Sequence, residues 1–233
     1  MNKVIPMNVL PGVLYIVSTP IGNLADMSSR AIEILKKVDL ILSEDTRVTG
    51  RLLAHYQIQT ARTSYHDHSE KIKAPGIVDE LLAGKSVALV SDAGTPLISD
   101  PGYTLVNMAI DRGIEIVPIP GPSSILAALV SSGFPADRFC FEGYAPRTEG
   151  KLRRFFASIA REDRTIVFFE TPHRVIKCLR IMHEVLGNRE IFVGRELTKK
   201  FEEKLRGKAA DILEILEARS IKGEFVILIR ANG

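Results

Sequence analysis

Hydrophobic and polar positions in the first half of the chain alternate between strand-like blocks and helix-like stripes. Residues 13–18 read as a strand. Ser28 or Ser29 then offers a helix cap, ahead of Ala31, Ile32, Leu35 and Val38 on one helical face. Residues 40–43 form a short apolar strand and residues 48–55 a helix. Ile77, Val78, Leu81 and Leu82 mark a further helix, with Pro75 expected near its start and Gly84 past its end. Residues 87–90 (VALV) are continuously apolar, as a strand covered on both faces must be. A helix over 103–112 and a strand over 114–117 follow. Repeated strand–helix units of this kind predict a mainly parallel sheet with helices on both sides.

The PIPG segment, residues 118–121, is the best break in this pattern, and it divides the chain into domains 1–118 and 119–233. Beyond it come a helix of small residues over 123–132 and strands near 139–143, 165–170, 190–195 and 224–230. Helices are expected between them near 151–160, 175–186 and 209–218. The fold class is therefore α/β, two α/β domains, the first with a mainly parallel sheet and the second with a mixed one.

Composition narrows the setting. With 45% hydrophobic and 25% charged residues, the 233-residue chain can bury a core in each half. No apolar run approaches the roughly 18–20 residues needed to span a membrane. Cys140 and Cys178 form no CxxC pair and no disulfide framework, which points to a reducing cytoplasm. The overall charge of +3 hides an asymmetry, −2 over residues 1–118 and +5 over 119–233. A basic second half is suited to an anionic partner such as nucleic acid.

Candidate chemistry lies where strands end, because ligands of open α/β sheets bind beyond the carboxyl ends of the strands. The first such loop, STPIGN (residues 18–23), lacks the G-x-G-x-x-G of dinucleotide binding, yet Pro20 and Gly22 let backbone approach a flat ligand. The second, SDAGTPLISDPG (residues 91–102), is twelve residues long where strand-to-helix loops usually take about 2–6. In it Asp92 offers a carboxylate and Gly94 removes side-chain bulk. The third, PGPSS (residues 120–124), presents Ser123 and Ser124 at a helix start, either as caps or as ligand donors.

In FFETPHR (residues 168–174), Thr171 and Pro172 suit a helix start, so His173 and Arg174 would place positive charge in the first turn. The helix dipole disfavours that by about 0.3–1 kcal/mol, which calls for a carboxylate partner or an anionic substrate. Tyr144, Arg147 and Arg153 belong to a basic stretch, and RELTKKFEE (residues 195–203) carries mixed charge with Phe201 available for base stacking. The five histidines are scattered, with no metal-ligand spacing, so no metal site is expected. Neither a nucleophile elbow nor a Walker sequence is present.

Taken in order, LYIVSTPIGNLADMSSRA, SEDTR, SDAGTPLISDPG, PGPSS, FEGYAPR, FFETPHR, RELTKKFEE and KGEFV resemble the RNA-methylating branch of the tetrapyrrole (corrin/porphyrin) methylase superfamily, from Leu14 to about Ile229. The resemblance implies an S-adenosylmethionine cofactor in a cleft between the domains and a homodimer. It also implies methylation of a ribose 2′-hydroxyl on a decoding-region cytidine of 16S ribosomal RNA. It assigns cofactor contacts to Pro20, Asp92, Ala93, Gly94, Thr95, Ser123, Ser124, Phe169 and Glu170. Two departures from the tetrapyrrole enzymes, STPIGN for a glycine-richer turn and SDAGTP for a Gly-Asp-Pro segment, fit the RNA branch but weaken transfer of contacts at the first loop. A ribose hydroxyl is a poor nucleophile, so Glu44, Asp45, Lys199 and Glu170 are candidates for a general base. Arg47, Arg147, Arg174 and Arg195 are candidates to hold phosphate, with Tyr144 and Arg153 completing the substrate face. Two alternatives stay open: a methylase of a small tetrapyrrole-like substrate, and a non-catalytic RNA-binding module.

Overall fold

The computed structural model describes residues 8–231, except the side chain of His68, and its chain divides into two compact units. The first ends at Ser123 and the second begins at Ser124, a few residues beyond the expected break. The linker stays with the first unit because Gly121 lies against Ser18, where an added Cβ would come within 2.9 Å of the Ser18 Cβ.

In the first unit the strands are β1 (Leu14–Val17), β2 (Leu40–Ser43), β3 (Arg62–Ser64), β4 (Val87–Val90) and β5 (Ile116–Ile119). They form one sheet in the order β3-β2-β4-β1-β5, parallel throughout. Its helices are α1 (Ser29–Lys37), α2 (Thr46–His55), α3 (Asp67–Leu82) and α4 (Tyr103–Asp111). Alternate strand residues point to opposite faces. Tyr15 and Val17 pack with Ala31, Ile34, Leu35 and Leu53 of α1 and α2. Leu14 and Leu89 pack on the other face with Ala74, Val78, Leu81 and Leu105 of α3 and α4. Ser28 caps α1, its hydroxyl accepting the Ala31 N–H at 3.1 Å.

One expectation needs correction here, and one strand was missed. Pro75 does not open α3 but lies inside it. The helix starts at Asp67 and tolerates the one backbone hydrogen bond that proline cannot donate. The three-residue β3 carried no legible pattern, being polar (RTS) and edge-placed.

The second unit holds α5 (Ser124–Ser132), β6 (Phe139–Tyr144), α6 (Glu149–Ser158), β7 (Thr165–Glu170), α7 (Val175–Leu186), β8 (Glu190–Arg195), β9 (Glu203–Lys208), α8 (Ala209–Glu217) and β10 (Phe225–Ile229). The strand order is β6-β7-β10-β8-β9, with β6 parallel to β7 and the remaining pairs antiparallel. Ile166 and Phe168 face α6, α7 and α8, while Val167, Val226 and Leu228 face α5. The edge strand β9 (EKLRGK) escaped sequence reading because no apolar run marks it; it alternates half-buried and exposed residues. The helix α7 occupies the range expected for it, so Thr171 and Pro172 do not open it, and His173 and Arg174 lie in the turn before it rather than in its first turn.

Candidate active site

At the carboxyl end of the first unit's sheet, the three loops singled out in the sequence meet. Thr19 and Gly94 exchange backbone hydrogen bonds of 2.8 and 3.0 Å, which ties the loop after β1 to the loop after β4. The Ser18 and Thr95 hydroxyls are hydrogen-bonded at 2.9 Å, and the Thr19 hydroxyl donates to the Ser91 carbonyl at 3.1 Å. Gly94 has φ +86°, and an added Cβ would face Ile21 at 3.5 Å and the Pro122 carbonyl at 3.9 Å. Backbone from residues 19 and 122 therefore lies close to this glycine. Leu97 and Ser99 also hold positive φ, 72° and 67°, a strain that the ends of the loop must constrain. One such constraint is Glu70, whose Oε1 accepts the Gly102 and Thr104 N–H groups at 3.1 and 2.7 Å and so caps α4 from α3.

Carboxylates gather at the same strand ends. Asp92 accepts the Asp45 N–H at 3.1 Å, and burial raises its pKa. Burial and the charges of Asp92, Asp67 and Asp45 raise that of Glu44. Asp100 is pushed up to about 7, chiefly by burial and then by Glu44. Asp45 differs: it caps α2 and is gripped by Arg47 through Nε (3.1 Å) and Nη2 (2.7 Å), which holds its pKa down at about 2. Among the described residues no group of three or more His, Cys, Asp or Glu is placed to hold a metal ion.

The first unit thus brings together Pro20, Asp92, Ala93, Gly94 and Thr95 with Glu44, Asp45 and Arg47 around these strand ends, while Ser123 closes the linker that starts beside Ser18. Sequence reasoning passed over Ser18, Thr19, Glu70 and Asp100 as site residues. Ser18 and Thr19 were findable from their place after β1, whereas the burial of Asp100 has no sequence signal.

In the second unit Phe169 packs edge-on to Phe141 (4.9 Å) and against Tyr144 (5.4 Å). Glu170 is 2% exposed; its Oε1 accepts the Thr171 N–H at 2.8 Å and its Oε2 the Arg174 Nη2 at 3.0 Å. Its pKa is raised by burial, with Thr171 and Arg174 pulling the other way. Arg153 bonds Glu149 and Glu184, and Arg195 bonds Glu203 (3.0 Å) and the Lys222 carbonyl (3.1 Å). Lys199 lies between Glu196 (3.0 Å) and Glu224 (2.9 Å), whose hydrogen bonds raise its pKa against the opposing effect of burial. Glu196 and Thr198 hold positive φ in that turn, and Phe201 is exposed beside Lys200. Ser124 opens α5.

Residues 13–213 match the family described as Tetrapyrrole (Corrin/Porphyrin) Methylases. The chain is 48% identical over 231 residues to the ribosomal RNA small subunit methyltransferase I of Vibrio cholerae, covering 98% of this chain and 80% of that protein. It is 45% identical over 218 residues to the protein of that name from Thermotoga maritima, covering 94% and 98%. The fold is similar to that of a cobalt precorrin-4 methyltransferase, with a TM-score of 0.70, 18% identity and 98% of each chain covered. Uroporphyrin III C-methyltransferase from Thermus thermophilus gives a TM-score of 0.64 at 19% identity, covering 93% of this chain and 96% of that one.

Proposed function

Since this chain belongs to the tetrapyrrole (corrin/porphyrin) methylase family, among the ribosomal RNA small subunit methyltransferase I proteins, we propose that it methylates the ribose 2′-hydroxyl of a decoding-region cytidine in 16S ribosomal RNA. It is a methyltransferase, and its methyl donor is S-adenosylmethionine. The observation that supports the reading is near-full-length identity of 45–48% to proteins named ribosomal RNA small subunit methyltransferase I, combined with strand-end loops tied into one surface.

The first unit's residues suit that donor. Gly94 keeps a patch of backbone clear of side-chain bulk, with the Ser18 and Thr95 hydroxyls and the Asp92 carboxylate close by in sequence and structure. Residues Pro20, Asp92 to Thr95 and Ser123 would hold it from this unit. The donor supplies a methyl carbon already activated by its sulfonium, so the protein's task is alignment and removal of the hydroxyl proton.

For the proton, Glu44 is the best placed of the expected candidates. Its raised pKa makes it a stronger base than an ordinary carboxylate, and Asp100 shares its surroundings. Asp45 is committed to Arg47 and the cap of α2. Lys199, held charged by two carboxylates, is a poor proton acceptor and a better partner for phosphate. Arg47, which is 87% exposed, together with Tyr144, Arg147, Arg153, Arg174 and Arg195, forms the RNA-facing set. We place the enzyme in the cytoplasm as a homodimer. Leu126 and Val130, exposed one turn apart on α5, favour self-association, and no described helix is long and apolar enough to cross a membrane.

The test is methyl transfer from labelled S-adenosylmethionine to 30S subunits lacking the modification, followed by nucleoside mapping. A labelled 2′-O-methylcytidine is expected. Label on a base, or transfer only to tetrapyrroles, would sink the assignment.

A further inference from the structure

The turns after β6 and β7 enclose a recess of about 390 Å³ lined by Tyr144, Ala145, Pro146, Arg147, Thr171 and Arg174. We propose that this recess binds one phosphodiester of the RNA strand, with Arg174 as a preset donor and Arg147 as an adjustable one. The inference rests on the RNA reading above and assigns it a specific anion site.

The argument starts with the buried carboxylate of Glu170, which is tied to Thr171 on one oxygen and to Arg174 on the other. The same Arg174 Nη2 also donates to the Ala145 carbonyl. Two acceptors, the carboxylate at the end of β7 and the carbonyl just after β6, thus locate one nitrogen of the guanidinium. Its Nε and Nη1 donors enter no hydrogen bond among the described residues, and the side chain stays 26% exposed at the recess wall. An arginine held in this way keeps its remaining Nε and Nη1 donors preset for oxygen acceptors at little further entropy cost.

Arg147 completes the pair. It is exposed and lines the same recess, and its guanidinium forms no ion pair or hydrogen bond among the described residues. Arg47, Arg153 and Arg195 are all engaged by carboxylates. The charge balance follows: Glu170 neutralises Arg174, no acid lines the recess, and Arg147 leaves one net positive charge. That matches the single negative charge of a phosphodiester. Thr171 lines the recess as well, and Tyr144, 54% exposed, adds an aromatic residue to the same lining. Aromatic face plus guanidinium is the pairing by which proteins track single-stranded nucleic acid.

A monoanionic carboxylate could also come from the methyl donor, so the experiment separates the two sources. Binding of Arg147→Ala, Arg147→Lys and wild type to unmodified 30S subunits is measured across a salt titration, alongside calorimetry with S-adenosylmethionine. Arg147→Ala is expected to bind 30S more weakly, with the log–log salt slope reduced by about 0.7, the value for one single-strand phosphate. Arg147→Lys should regain the slope, and donor affinity should stay unchanged in both. An unchanged salt slope in Arg147→Ala overturns the proposal, as does a loss of donor affinity with RNA binding intact. Wild-type methylation of the same 30S particles keeps these failures distinct from failure of the RNA reading itself; its absence would defeat both.

Discussion

Asp100 shows how a single side chain couples folding to pH. Its folded pKa, about 7, lies above that of an unfolded aspartate because ionisation is opposed by burial and by Glu44, Asp92 and Asp67. Between about pH 4 and 7 the folded chain therefore binds more protons than the unfolded chain, and this residue's contribution to stability falls as pH rises through that window. Asp100→Asn should be relatively more heat-stable than wild type at pH 8 and gain little at pH 4, as read by thermal melts at both values. If the difference between the two proteins is the same at both pH values, the raised pKa is wrong. The same groups predict that methyl transfer rises with pH through about 7, as Asp100 ionises beside the proposed base Glu44 and makes it more basic. At Arg174 the effect is on packing: Arg174→Ala strands a buried carboxylate, which costs about 3–5 kcal/mol. Arg147→Ala, on the surface, should stay within about 0.5 kcal/mol of wild type in urea unfolding.

At the scale of elements, what holds the loops is backbone geometry beyond the sheet. Gly94 sits in the left-handed region, and an added Cβ would meet only ordinary van der Waals contacts with Ile21 and the Pro122 carbonyl, so Gly94→Ala meets strain and no clash. The expected cost is about 1–2 kcal/mol, together with a loss of donor binding as the Thr19–Gly94 bridge shifts. A Gly94→Ala protein that binds S-adenosylmethionine as wild type does would remove this glycine from the site. In the second unit, Phe168 is fully buried in the layer containing Phe155 and Phe156, with ring centroids about 6 Å away. Phe168→Ala should destabilise by about 3–5 kcal/mol without touching any candidate contact, so a denaturant midpoint moved by much less would dispute the packing.

For the whole molecule, a donor that binds only the folded chain must stabilise it. A hundredfold excess over Kd supplies about 2.7 kcal/mol. For a chain of this size each kcal/mol raises Tm by about 2–4 °C. Scanning fluorimetry with and without S-adenosylmethionine checks this, and a flat response would count against the cofactor residues proposed here. Charge acts at this scale too. The +5 over residues 119–233 was visible in composition, but most of the arginines expected to hold phosphate are engaged by neighbouring carboxylates. Net charge is additive along a chain, whereas the availability of any one guanidinium depends on which carboxylate folds against it.

Period and punctuation alone determined the two α/β halves, the parallel first sheet, the cap at Ser28 and the three strand-end loops, because strand alternation, helical stripes and glycine or proline breaks are local properties. The ordered motifs also sufficed to mark the family. Tertiary structure alone decided that the polar edge strands β3 and β9 exist, since an edge needs a partner and no apolar run. It alone decided that α3 runs through Pro75 and that Arg174, in the turn before α7, is drawn back to Glu170. It also decided which acids titrate abnormally and which arginine is left with donors to spare, because burial and pairing join residues far apart in the chain.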